Sequence, residues 1–133
     1  GHSPDPHDWG VMEPKAPGYE DTLRRLTLND ERFVRGVLAG PSRPDQVGPL
    51  EPKTTRLVRL GALIALDAGS PAIGAETDAA LAAGASRDEV VGVLLVVGPS
   101  IGLPRLVGVA PRIADALGYD VIEAIEHPEG RRA

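Results

Sequence analysis

Arg56, Arg59, Glu76, Ser100 and Arg105 are among the side chains of the helix-forming region with the chemistry to bind or activate a small anion. Arg59 falls one turn after Arg56, and two guanidinium groups on one helix face can hold a carboxylate or phosphate. The competing reading of Arg59 is a solvated flank or a subunit contact. Glu76 has the chemistry of a general acid or base. Asp78, two residues on, points to another face and is expected in solvent. Ser100 follows Gly98-Pro99, where a proline frees a helix carbonyl that a nearby hydroxyl can bond. As a nucleophile it would need a base. The three histidines, at 2, 7 and 127, lie outside the helical body, which also removes a histidine proton shuttle and a histidine-rich metal site from it.

Several function classes fall away on composition. The chain has no cysteine, so disulfides, thiolate nucleophiles, Cys-ligated zinc and iron–sulfur clusters are excluded together. No cofactor or metal is expected. The net charge of -5 and the scattered basic residues argue against a nucleic-acid partner, which would need a Lys/Arg face. Aromatic residues make up 3% of the chain, leaving little surface on which bases or flavins could stack. No apolar stretch reaches membrane-spanning length, and no basic-then-apolar leader opens the chain, so no membrane partner and a cytoplasmic location are expected.

Helices must position whatever chemistry exists. Residues 1–18 carry Pro4, Pro6, Pro14 and Pro17 without an apolar period and read as an extended arm, with Trp9, Val11 and Met12 as its anchors. A first helix is expected from Tyr19 to Leu26 and a second after Asn29 as N-cap, ending at Gly40-Pro41. Residues 40–49 read as loop. Pro52 suits the first turn of a third helix, apolar nearly all round and stopped by Gly69, which suits a core or a subunit interface. Ser70-Pro71 reads as N-cap and first-turn proline of a fourth helix closed by Gly84. Ser86-Arg87-Asp88-Glu89 is a capping box, and it makes the β-branched run Val90 to Val97 a helix rather than a buried strand. Interruptions are expected at Gly98-Pro99 and Pro111, a stop at Gly118, and a last helix from Tyr119 to Glu126. A single domain over 19–127 and a polar tail over 128–133 complete the reading.

Three fragments in order then carry a family resemblance. Leu50-Glu51-Pro52-Lys53-Thr54 opens a long apolar helix. The stretch from Ala79-Ala80-Leu81-Ala82-Ala83-Gly84 through Ser86-Arg87-Asp88-Glu89-Val90-Val91 resembles "AALAAGATREEI". Gly98-Pro99-Ser100-Ile101-Gly102-Leu103-Pro104 takes the place of "VYAGFP". Together they resemble the carboxymuconolactone decarboxylase/AhpD-like family. The resemblance implies an all-α, AhpD-like orthogonal helical domain of six to seven helices with a Pro-interrupted C-terminal half. It also implies a homo-oligomer, trimer or hexamer.

For activity the resemblance subtracts more than it adds. Peroxidase-type members resemble one another in a helix glutamate, a Cys-x-x-Cys pair and a histidine. Counted back from Gly84, those positions fall on Arg56, on Gly69 and Ala72, and on Glu76. Thiol peroxidase chemistry needs a thiolate and is excluded. The histidine that decarboxylase-type members keep is Glu76 here, and the tyrosine of "VYAGFP" is Ser100. The resemblance also implies that Arg56 and Glu76 face each other across two helices. In one reading Arg56 anchors a small carboxylate or lactone, with Arg59, Ser100 and Arg105 around it, and Glu76 does lyase-type acid–base chemistry. In another the protein binds such a ligand without turnover. In the third the two residues form a structural ion pair in an oligomeric accessory protein whose pocket is closed.

Overall fold

A computed structural model describes residues 18–40 and 48–127, and all seven elements among them are α-helices. The expectations for residues 1–17, 41–47 and 128–133 lie outside the described residues. The chain divides into two units, Gly1–Gly48 and Pro49–Ala133.

The first unit holds α1 (Tyr19–Thr27) and α2 (Glu31–Ala39), which pack on each other. Asn29 is not the N-cap of α2. It adopts φ 55°, and with Asn29 N–H bonded to the Leu26 carbonyl and Asp30 N–H to that of Arg25 it closes α1. Asp30 is the cap, its carboxylate accepting from Phe33 N–H. Asn tolerates the left-handed conformation that ends a helix, which is why the two neighbours exchange roles.

The second unit holds α3 (Pro52–Ala65), α4 (Ser70–Ala82), α5 (Arg87–Ile101), α6 (Leu103–Ala116) and α7 (Val121–Glu126). Helix α3 packs on α4 and α5, and α6 packs on α4 and α5. Leu60, Ile64, Ile73, Ala80, Val90, Leu94, Val109 and Ile113 fill the space between these four helices. Gly61 is a close-packing glycine: a Cβ there would stand 3.5 Å from Val93 and Val97 of α5.

Helix ends differ from expectation in three places. Helix α3 stops at Ala65, before Gly69, because Asp67 takes φ 55° and Ala68 N–H turns back to the Leu63 carbonyl. Gly69, not Ser70, is the cap residue of α4, and Ser70 is its first helical residue. The last helix begins at Val121 under an Asp120 cap.

The prolines also behave differently. Pro99 lies inside α5 and Pro111 inside α6, and neither interrupts its helix. Each removes the bond to the carbonyl four residues earlier. Those carbonyls belong to Leu95 and Val107, residues 71% and 61% exposed, so water can take the place of the missing donor. The break falls at Gly102, whose φ of 84° suits glycine, and Pro104 starts α6.

Candidate functional site

Arg56 and Glu76 meet. Arg56 comes from the second turn of α3 and Glu76 from the middle of α4, the two helices joined by the short turn through Asp67 and Gly69. Arg56 Nη1 lies 3.4 Å from Glu76 Oε2 and 3.5 Å from Oε1. The side chains are 17% and 13% exposed, so the pair sits at the margin of the α3–α4 contact rather than in the core. The distances are roughly half an ångström longer than a tight charge-assisted bond of about 2.7–2.9 Å. Arg56 uses one nitrogen for this contact; among the described residues its Nε and Nη2 have no hydrogen-bond partner.

Next to Glu76, Thr77 is fully buried on the core-facing stripe of α4 with Ile73 and Ala80. Its hydroxyl has no hydrogen-bond partner among the described residues. Nothing in its residue type distinguished it in the sequence, because a threonine between Glu76 and Asp78 reads as one more polar position.

The other sequence candidates are not gathered here. Arg59 is exposed and without a hydrogen-bond partner among the described residues, Asp78 is exposed, and Ser100 is exposed on the last turn of α5. Arg105 donates through Nη1 to the Ala65 carbonyl at 2.6 Å. That carbonyl is nine residues along α3 from Arg56, about 14 Å by the helical rise, so Arg105 serves the other end of the helix.

Two further polar links were not anticipated. Lys53 Nζ stands 3.1 Å from Glu89 Oε2, tying the first turn of α3 to the first turn of α5. The other Glu89 oxygen accepts from Ser86 N–H at 2.9 Å, completing the capping box with Ser86 Oγ, which accepts from Glu89 N–H at 3.0 Å. The Ser86 backbone bond first, and the Lys53 contact second, hold the Glu89 carboxyl below its ordinary value. Arg112 Nη1 donates to Asp67 Oδ1 at 3.0 Å and to the Ala68 carbonyl at 2.9 Å. Partners 36 or 45 residues apart leave no periodic trace in a single sequence.

Three cavities stand out among the described residues. One of about 580 Å³ is an apolar groove between α3 and α5 along Leu57, Gly61, Val93 and Val97. One of about 490 Å³ lies where α5 meets α6, beside Arg105 and Arg112. A third, of about 620 Å³, lies on α2. Arg56 and Glu76 line none of these three. Among the described residues no group of His, Asp or Glu side chains is placed to hold a metal ion. No helix there is long and apolar enough to cross a membrane.

The described residues are all-helical with an interhelical acid–arginine pair, and the sequence has no cysteine. The model of the carboxymuconolactone decarboxylase family matches residues 42–116, more than half of the chain, and the chain belongs to that family. No curated protein and no solved structure gives a significant match.

Proposed function

We propose that the protein binds a small carboxylate or lactone at the Arg56–Glu76 pair. What supports this reading is the loose contact between them: Arg56 meets Glu76 through Nη1 alone, and its other two nitrogens have no partner among the described residues. A guanidinium with donors to spare at the edge of a helix contact suits an incoming carboxylate. In the enzymatic form of this reading, the bond to a substrate carboxylate breaks and carbon dioxide leaves. The electron pair stays on the neighbouring carbon, which takes a proton passed from water through the Glu76 carboxyl. Thiol peroxidase activity has no place in it, since the chain has no cysteine.

The reading includes a homo-oligomer, a trimer or hexamer, in a cytoplasmic setting. Val58 of α3, Leu95 and Val96 of α5 and Val107 of α6 are exposed, so helices that feed the core also carry apolar side chains on their outer faces. A second copy is the natural cover for such helices. A non-catalytic, oligomeric accessory protein is the second reading. It is favoured by the ion pair itself, in which Arg56 and Glu76 already give each other a charge partner.

Calorimetric titration with a panel of small carboxylates and lactones tests the first reading. At least one should bind, with affinity lost in Arg56→Gln. If no compound binds, or if Arg56→Gln binds equally well, the accessory reading replaces it.

A further inference from the structure

The cleft between the end of α5, α6 and the turn after α3 lies apart from the Arg56–Glu76 pair. It is bounded by Asp67, Ile101, Pro104, Arg105, Gly108 and Arg112, with a volume of about 490 Å³. Small-molecule sites typically measure roughly 300–1,000 Å³. Arg105 and Arg112 are seven residues apart, two turns of α6, and so share a helix face. Both lean toward the C-terminal end of α3. Arg105 Nη1 donates to the Ala65 carbonyl, and Arg112 Nη1 to the Ala68 carbonyl and Asp67.

Those bonds answer the partial negative charge of a helix C-terminus. They do not use up the two guanidinium groups: Nε and Nη2 of each have no hydrogen-bond partner among the described residues. Nor do they balance the charge. Arg112 has Asp67 at 3.0 Å, while Arg105 has no acidic partner among the described residues. One positive charge is therefore left facing the cleft. Ile101 and Pro104 add the carbon part of a lining that is otherwise mainly polar.

We propose that this cleft binds a small organic monoanion, a carboxylate carried on a short apolar body. Arg105 is its charge partner, and Arg112 reaches it from two turns further along α6. Fixed guanidinium groups match a carboxylate better than a mobile ammonium would, because their orientation is already set by the carbonyls they hold. Ile101 and Pro104 give the ligand's carbon body a small apolar surface that a bare inorganic ion cannot use. The site is independent of the reading given for Arg56 and Glu76.

Titration of the full chain with hexanoate, followed by calorimetry at constant ionic strength, tests this. Hexanoate should saturate, acetate should bind at least several-fold more weakly, and chloride should give no saturable heat. Arg105→Gln should weaken hexanoate binding at least tenfold, Arg105→Lys should keep part of it, and Arg35→Gln, in an exposed ion pair with Glu31 on α2, should leave it unchanged. Thermal unfolding of each variant without ligand checks that the fold is intact. Equal heats from hexanoate and chloride would reduce the cleft to screening by an adventitious ion only and overturn the proposal. So would full-strength binding in Arg105→Gln, or an equal loss in Arg35→Gln.

Discussion

Arg56 of α3 and Glu76 of α4, twenty residues apart in the chain, face each other with Nη1 3.4–3.5 Å from both carboxylate oxygens. The contact is mostly shielded from solvent yet longer than a tight ion pair. Removing one partner leaves the other charge in a poorly hydrated place. Glu76→Gln should therefore destabilise the fold by on the order of 2 kcal/mol, below the range for fully buried pairs because both groups keep some solvent. Replacing both residues by leucine should cost less than Glu76→Gln alone. Urea unfolding midpoints compare the three proteins; equal stability of Glu76→Gln and the parent would make the contact energetically idle.

Ser86→Ala removes the side-chain acceptor of Glu89 N–H at the start of α5. The expected cost is about 1 kcal/mol, read from the unfolding midpoint, since one of the first-turn N–H groups loses its partner. An unchanged midpoint would mean that another group takes over the cap.

Glu89 sets a pH dependence. Its carboxyl is held below the ordinary value by Ser86 N–H and by Lys53, so the folded state favours the ionised form. The stabilisation is fully present above the ordinary carboxylate range and is lost as pH falls through the lowered value. Thermal unfolding measured from pH 6 down to pH 3 should fall more steeply for the parent than for Glu89→Gln. Parallel curves would remove Glu89 from the acid response.

A homo-oligomer should be visible at micromolar concentration. Light scattering should return at least three times the chain mass of 13.9 kDa. A mass of one chain would refute the oligomer and leave the exposed side chains of Val58, Leu95 and Val96 without a cover.

No dithiol reductant should support peroxide turnover, because the chain contains no thiol to attack the peroxide oxygen. The assay compares the protein with a heat-inactivated sample, and a rate above that control would require a peroxidatic group other than cysteine.

Much of this protein is local physics and is therefore legible in its sequence. The capping box at Ser86 and Glu89 and the left-handed glycines 84 and 118 depend on residues within a few positions of one another, and each appears where the sequence places it. The absence of cysteine excludes thiol-based redox chemistry without any structure. The family resemblance carried the Arg56–Glu76 juxtaposition, and the distances between them bear it out. What residue order alone misjudges are choices settled by small differences in surroundings. Asn29, expected to cap α2, takes the left-handed turn that closes α1, Asp67 takes the turn expected at Gly69, and Pro99 and Pro111 stay within helices, the carbonyls they free belonging to exposed residues. The tertiary structure alone decides that Lys53 meets Glu89, that Arg105 and Arg112 converge on the end of α3, and that Arg105 lies far from Arg56. Long side chains reach whatever the packing of α3, α5 and α6 sets before them, and helical periodicity records the face a residue occupies but not the neighbour opposite it.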